Sequence, residues 1–403
     1  MITANPSTTR RIPKHILPLI IISQFCCTSL WFAGNGVMDD LILVYKLDPS
    51  VLSFLTSAVQ FGFIIGTFIF ALFTIADRNS PSKVFMISAV LAALFNCGLI
   101  IEGQSLTWLL ILRFFTGFFL AGIYPVGMKI AADYYDKGLG KALGFLVGAL
   151  VLGTAFPHLL SNITQHLPWQ TVIYATSFLS LFGGLIIVAF VPNGPFRKHS
   201  TKMDLSVLSK LFKNTNFKSA ALGYFGHMWE LYAFWAFTPI MIKTYNNLHP
   251  EAELNIALYS FLIIGMGSLG CIISGWISIF KGLKPTAFVI LLASTICCLI
   301  SPFSFLLNSS LFFILFLMFW GMVVVADSPL FSTLVANNTA SKTKGSALII
   351  VNCIGYAITI ISIQTLGFLQ TFINPTYIYI ALAVGPILGL LALKQKKSKV
   401  DFN

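Results

Sequence analysis

The sequence predicts an all-α membrane protein of twelve transmembrane helices, arranged as two pseudo-symmetric bundles of six. Three observations carry that reading: too few charges for a water-facing surface, a one-sided distribution of Lys and Arg, and an internal repeat. Of 403 residues, 57% are hydrophobic and 9% charged, where soluble domains carry roughly 25% charged residues. In lipid, backbone groups must be satisfied by helices or a closed barrel. The apolar runs are long and charge-free, as in Val84 to Ile101 and Ala287 to Leu307, which is the pattern of spanning helices and not of alternating strands.

Read in order, the spans are expected at 15–38, 50–76, 83–101, 106–131, 141–161, 169–191, 218–241, 255–279, 285–306, 311–335, 345–369 and 375–393. Each is long enough for a ~30 Å core at ~1.5 Å per residue. The first run is followed by Asn35, Gly36, Asp39 and Asp40 instead of a small-residue cleavage site, so it is read as a retained helix. An even count puts both ends on one side. With that side cytoplasmic, 22 of the 25 Lys and Arg fall at or beyond cytoplasmic helix ends, leaving Lys46 and Lys243 outside and Arg113 within a span. This is the positive-inside pattern. The net charge of +12 is thereby a consequence of topology, and no nucleic-acid partner is implied.

The most hydrophilic stretch, Pro192 to Lys218, separates span 6 from span 7. The expected division is 1–194 for the first bundle, 195–216 for a cytoplasmic linker and 217–403 for the second. The halves match at an offset of 204: Gly117 with Gly321, Pro125 with Pro329, and Trp31 with Trp235. Gly140 and Gly345, opening spans 5 and 11, match one residue away. Two repeated six-helix halves are the pattern of carriers in which one bundle rocks against the other.

Several motifs then resemble the major facilitator superfamily over the whole length. Asp77-Arg78 followed by Lys83, between spans 2 and 3, is similar to its loop signature, although Phe73 and Ser80 replace the two glycines. Gly275 to Gly282 is the second-half copy without the acid, and Arg113 to Gly117 resembles the superfamily's buried-arginine motif. The segments Ser29–Asn35, Ala121–Lys129, Gly223–Tyr232 and Val324–Ser332 resemble a bacterial subgroup often labelled nitrate/nitrite-porter-like. Arginines expected of a nitrate site in spans 2 and 8 are absent. The resemblance implies the major facilitator fold and a monomeric carrier in the bacterial inner (plasma) membrane, moving a small solute by alternating access.

Three ionisable residues lie deep in spans: Arg113, Glu230 and Asp327. Each costs at least ~2.5 kcal/mol at a helix centre unless it faces protein or a wet cavity. A carboxyl in a low-dielectric site favours its neutral form, so it can exchange protons near neutral pH. Glu230, helped by His227 one turn away, is the first candidate for proton coupling, and Asp327 is the second. Structural hydrogen bonds between helices are the alternative for all of them. Arg113 is expected to hold an anionic group of the solute or to pair with a carboxylate. Polar and aromatic side chains at helical spacing add Trp31, Asn35, Tyr124, Tyr232, Asn352 and Tyr356 as candidate solute contacts. Trp31, Trp229, Tyr232 and Trp235 could each stack on a ring or cation, with helix packing the plainer reading. Asp77, Arg78 and Lys83 are expected to form a cytoplasmic gate.

No cofactor and no metal site is expected. The seven cysteines lie in apolar runs, and neither a nucleotide-binding Gly-rich loop nor a nucleophile cluster exists. The expected function is proton-coupled uptake of a small organic solute, with no enzymatic activity. The alternative is export of a drug, metabolite or siderophore, suggested by Gly144, Gly148, Gly153 and Pro157 in span 5.

Overall fold

A computed structural model describes residues 13–135, 139–197, 211–340 and 343–394. The greater part of the expected linker 195–216, residues 198–210, lies outside the described residues, as do both chain ends. All regular structure among the described residues is helical. Among the described residues, nine helices are long and apolar enough to cross a membrane alone. They are span 2 (Val51–Leu72), span 3 (Pro81–Ile100), span 4 (Leu106–Tyr134), span 5 (Ala142–Ile163), span 6 (Gln170–Phe190), span 8 (Ile256–Lys281), span 9 (Leu283–Leu306), span 10 (Ser310–Asn337) and span 11 (Lys344–Leu369). Large apolar side chains on their outer faces are bare, Leu311 and Phe280 being 70% exposed, as a lipid-covered surface requires.

The other three expected spans depart from simple helices. Span 1 is corrected from one run at 15–38 to two pieces, Ile16–Thr28 and Met38–Tyr45, joined by irregular turns and a 3-10 segment at Asn35–Val37. Gly34, Asn35 and Gly36 are poor helix formers, and the second piece starts with exposed Asp39 and Asp40 in its first turn, where the helix dipole favours negative charge. Span 7 runs over Thr215–Leu248. Its 34 residues exceed the membrane's thickness, and His227, Glu230 and Lys243 dilute its hydropathy. Span 12 begins as a 3-10 turn at Ile378–Ala383 and continues as Val384–Lys394.

Spans 4 and 10 also break where the sequence reading had single helices. Span 4 stops at Leu120 and restarts at Tyr124; span 10 stops at Ala326 and restarts at Ser328. Pro125 and Pro329 are the second residues of the restarted pieces. A proline there lacks only an N–H that would be unpaired anyway. Helical bonding resumes in both, from Gly127 N–H to Ile123 O at 2.7 Å and from Phe331 N–H to Asp327 O at 2.9 Å. Those donors and acceptors are themselves 204 apart.

The packing repeats as the sequence does. Span 2 packs on span 4, span 3 on span 6, and span 1 on spans 5 and 6; likewise span 8 packs on span 10, span 9 on span 12, and span 7 on spans 11 and 12. Gly62, Gly66 and Gly117 bring spans 2 and 4 together so closely that an added Cβ would strike backbone carbonyls. Gly270 and Gly321 do the same for spans 8 and 10. Small residues drive helix contact in lipid, where burial of apolar surface supplies no force.

The halves meet along spans 5 and 8 and along spans 2 and 11. At one end three polar ties join them. Lys243 Nζ lies 3.1 Å from Asp39 Oδ1. Asn255 Nδ2 donates to Asn162 Oδ1 at 2.6 Å. Gln364 Nε2 donates to Ser53 O at 3.0 Å and Ser57 Oγ at 2.9 Å. Halfway along, Ser268 Oγ donates to Gly148 O at 2.9 Å. At the opposite, lysine-rich end, a Cβ on Gly140, Gly144, Gly275 or Gly345 would meet nothing within 4 Å. Among the described residues the named polar ties hold the halves together at one end and midway, while open space lies beside these four glycines at the other.

Candidate functional site

Arg113 sits in the wall of the first bundle, 1% exposed. Its Nη2 donates to Trp31 O at 2.6 Å and Leu30 O at 3.3 Å, and Nη1 donates to Leu30 O at 3.3 Å and Asn96 Oδ1 at 3.2 Å. These carbonyls lie in the irregular stretch of span 1, where the Leu30 carbonyl keeps only a long bond from Ala33 N–H, 3.4 Å, and no backbone N–H among the described residues bonds that of Trp31. The arginine therefore replaces the missing helical bonds and fixes the break. Asn96 in turn donates from Nδ2 to Thr176 Oγ1 at 3.2 Å and Ser177 Oγ at 2.9 Å. One guanidinium thus ties spans 1, 3, 4 and 6. Among the described residues no carboxylate lies in ion-pair contact with Arg113.

Glu230 is equally buried in the second bundle. Its Oε1 accepts from Ser294 Oγ at 2.6 Å, Trp320 Nε1 at 2.6 Å and Cys298 Sγ at 3.2 Å. Spans 7, 9 and 10 are joined through this one oxygen. Three donors converging on one carboxyl oxygen offset part of the cost of burying it.

His227 stands apart from Glu230 in its partner. The His227 imidazole faces Asp327, with Nδ1 2.8 Å from Oδ1 and both side chains 1% exposed. The angle at this approach is off the hydrogen-bond line, and His227 Nε2 and Asp327 Oδ2 have no partner among the described residues. Asp327 is the residue at which span 10 breaks. Such buried, unsatisfied polar atoms are expensive wherever they serve no purpose.

Between the bundles lies a group of aromatic rings. Trp31 from the first half is stacked against Tyr232 and Tyr356 from the second, at centroid distances of 5.7 and 5.9 Å and interplanar angles of 29° and 24°. The two phenol oxygens are 3.0 Å apart. Phe63 of span 2 closes one side, 4.5 Å from Tyr356 and 4.8 Å from Trp31. Trp235 meets Tyr232 edge-on at 5.1 Å. Tyr124 is the half-buried first residue of the restarted span 4. Tyr224, on span 7 with Tyr232, lies 6.0 Å from the His227 ring. The expected contacts Trp31, Tyr232 and Tyr356 therefore come together at the interface, with His227 further along span 7.

Other expected contacts are placed elsewhere. Asn35 Nδ2 donates to Thr56 Oγ1 at 2.9 Å, fastening the 3-10 segment to span 2. Asn352 is half-buried on span 11, one turn before Tyr356. Of the gate residues, Asp77 Oδ1 is 2.6 Å from Lys129 Nζ, which also lies 3.7 Å from Asp133. Arg197 Nη2 donates to the carbonyls of Asp77 and Asn79 at 2.9 and 2.7 Å. These ties stay inside the first half. Arg78 and Lys83 are exposed.

The sequence reading missed Asn96, Ser294, Trp320 and Phe63. Asn96 had a signal: it is the one amide inside the apolar run Val84 to Ile101. Phe63 had none, being one of 38 phenylalanines. A groove of about 440 Å³ opens beside Phe54, Phe61, Leu110, Phe114 and Ile360 on spans 2, 4 and 11. Its lining is almost wholly apolar, so it fits lipid chains and not a polar solute. Among the described residues no three His, Cys, Asp or Glu side chains gather as a metal site.

Comparison with known proteins agrees with this architecture. A Bacillus subtilis (strain 168) protein described as a niacin/nicotinamide transporter is 28% identical over 161 residues, 40% of this chain and 39% of that protein. An Escherichia coli (strain K12) protein described as an L-galactonate transporter is 22% identical over 222 residues, 50% of this chain and 48% of that one. The chain thus aligns with less than half the length of these relatives. The solved structure of the proton:xylose symporter XylE superposes with a TM-score of 0.72 at 13% identity, covering 93% of this chain and 94% of that one. The family model of the Major Facilitator Superfamily matches residues 20–363, and this multi-pass membrane chain belongs to that superfamily.

Proposed function

We propose that the protein is a secondary active transporter that takes up a small organic solute together with protons by alternating access. The observation that carries this reading is the His227–Asp327 pair. It is buried at a helix break beside the interface of the halves, with one ring nitrogen and one carboxylate oxygen unpaired. An acid and a base in contact can hold one proton between them at no net charge. A second proton gives a net positive pair, and its loss restores neutrality. That change of one charge in a low-dielectric interface is large enough to favour one arrangement of the halves over another.

Glu230 belongs to the same coupling set as a buried carboxyl held in place by Ser294, Cys298 and Trp320. Arg113 acts by holding span 1. With the lysine-rich end in the cytoplasm, as the charge distribution argues, both termini are cytoplasmic and the end with open space beside its glycines faces inward. In this reading the units 1–194 and 217–403 move about the linker 195–216 in a bacterial inner membrane, as a monomer. Asp77, Arg78 and Lys83 mark the end that must close when the halves rock outward. The two relatives handle chemically unlike solutes, and neither is carried over to this chain.

The test is uptake into proteoliposomes across a solute panel, with and without an imposed pH gradient. Asp327→Asn should abolish gradient-driven accumulation while leaving solute exchange at equal concentrations. Accumulation that ignores the gradient, or survives Asp327→Asn, would overturn proton coupling at this pair. Accumulation only under the reversed gradient would replace uptake by export.

A further inference from the structure

The rings between the halves have more to say about the solute. Building on the transport reading above, we infer that the solute carries a flat unsaturated ring with hydrogen-bond acceptors at its edge, gripped between Trp31 and the Tyr232–Tyr356 pair.

The stack is built from both halves. Trp31 lies in the first bundle, while Tyr232 and Tyr356 lie on spans 7 and 11 of the second. Their planes are within 29° of parallel, with centroids 5.7 and 5.9 Å apart. A flat ring inserted between two others needs about 7 Å, two contacts of roughly 3.5 Å each. At these centroid distances the rings already touch as an offset stack, so a ring enters only when the halves part by about one ring thickness, roughly 3.5 Å. A puckered saturated ring is thicker and presents no π-face to the indole. The motion that exposes the solute to each side is thus the motion that sets the width of the slot.

Each wall is held from behind. The Trp31 carbonyl accepts the shortest of the Arg113 bonds, 2.6 Å. Tyr232 and Tyr356 brace each other through their hydroxyls at 3.0 Å, and Phe63 packs against both Trp31 and Tyr356. Walls braced in this way lose little side-chain entropy when a ring enters between them.

The edge chemistry is a separate observation. Trp31 Nε1 and Trp235 Nε1 have no acceptor among the described residues, although the two side chains are 1% and 0% exposed. Buried indole N–H groups almost always find a partner. Both indoles belong to the ring cluster, so acceptor atoms on an entering ring are one way to satisfy these donors. Arg113 has both Nη groups committed to span 1 and Asn96, so recognition at this place rests on stacking and N–H donation, not on an arginine–carboxylate pair.

The experiment uses the full chain in lipid nanodiscs and titration calorimetry. The probes are nicotinamide and uracil, each beside its saturated counterpart, nipecotamide and dihydrouracil. At least one flat probe should bind ten-fold or more tightly than its counterpart. Trp31→Leu should weaken that binding at least ten-fold. Trp31→Phe keeps a ring and loses the N–H, and should weaken it about three- to five-fold while keeping the preference for the flat form. This second variant also guards against a folding defect in the first, which size-exclusion and thermal unfolding would reveal. The inference is overturned if no flat probe binds, if the saturated forms bind equally, or if Trp31→Phe loses the flat-ring preference. Proton-driven flux of a non-planar solute that is unaffected in Trp31→Phe would overturn it too, while leaving the transport reading intact. Flat-probe binding that follows the expected order with no flux of any probe in liposomes would leave the slot standing and remove the transporter.

Discussion

The two halves share a scaffold but differ in their buried charge. In the first, Arg113 donates to the carbonyls of a broken span 1. In the second, the position 204 residues later is Leu317, and the buried ion is Glu230, whose own counterpart is Cys26. The breaks correspond as well: Ile123 occupies the place of Asp327, and Ser23 that of His227. Glycines and prolines repeat because they set how closely helices approach and where they stop. The buried acids Glu230 and Asp327 have no acidic counterpart at Cys26 and Ile123, while the first half buries Arg113 and His158, so the proposed proton coupling is placed in the second half. Coupling by rocking needs only one half to change charge.

The sharpest way to break this comparison is at Asp327. Asp327→Asn keeps the size and removes the charge; proton-driven accumulation should fall by at least ten-fold. The mirror change Ser23→Ala in the first half should leave it within about two-fold. Equal losses in the two flux assays would mean that both halves carry coupling groups.

Next in size are the contact glycines. Gly117→Val and Gly321→Val each drive a side chain onto a backbone carbonyl of the neighbouring span, an overpacking worth ~1–3 kcal/mol or more. Both should lower the unfolding temperature by similar amounts in detergent. A large effect in one half only would show that the repeat is not a shared scaffold.

A comparable but chemically opposite pair is Arg113→Leu against Glu230→Leu. The first strands the Trp31 carbonyl and Asn96 Oδ1, and leaves the Leu30 carbonyl only the long bond from Ala33 N–H. The second strands the donors of Ser294, Cys298 and Trp320. Each orphaned group costs about 1–3 kcal/mol. Both variants should be destabilised in thermal unfolding, while Glu230→Gln, which retains an acceptor, should recover most of the loss. A Glu230→Gln as unstable as Glu230→Leu would mean that the negative charge, and not the hydrogen bonds, holds spans 7, 9 and 10.

The smallest effect belongs to Lys243 and Asp39, 53% and 74% exposed across the tied end. Exposed pairs contribute ~0–1 kcal/mol. Lys243→Ala should leave the unfolding temperature unchanged within about 1–2 °C. A marked fall would show that this tie, more than the amide contacts of Asn255 and Gln364, holds that end together.

Much of this was legible before any coordinates. Lipid tolerates few charges, so spans announce themselves as charge-free runs. A residue such as Arg113 or Glu230 is conspicuous because burying it is so costly. The direction of its side chain was not legible, because a helix of mixed apolar residues has several faces that meet protein. Glu230 was expected to be the leading proton carrier with His227 beside it. The fold turns His227 towards Asp327, a hundred residues away, and gives Glu230 to Ser294 and Trp320. Span 1 was read as continuous because Leu30 to Phe32 are apolar, and nothing local shows that an arginine on span 4 will bind their carbonyls.

The sequence alone determined the solvent, the number of spans, the repeat and the short roster of residues too polar for their depth. Those follow from one-dimensional costs, summed residue by residue along the chain. Only tertiary structure decided which of the polar groups meet. Pairing depends on helix rotation and on where spans 1, 4 and 10 break, and these are set by contacts between residues far apart in sequence. The aromatic slot belongs to this second kind, since its walls come from different bundles and exist only where those bundles touch.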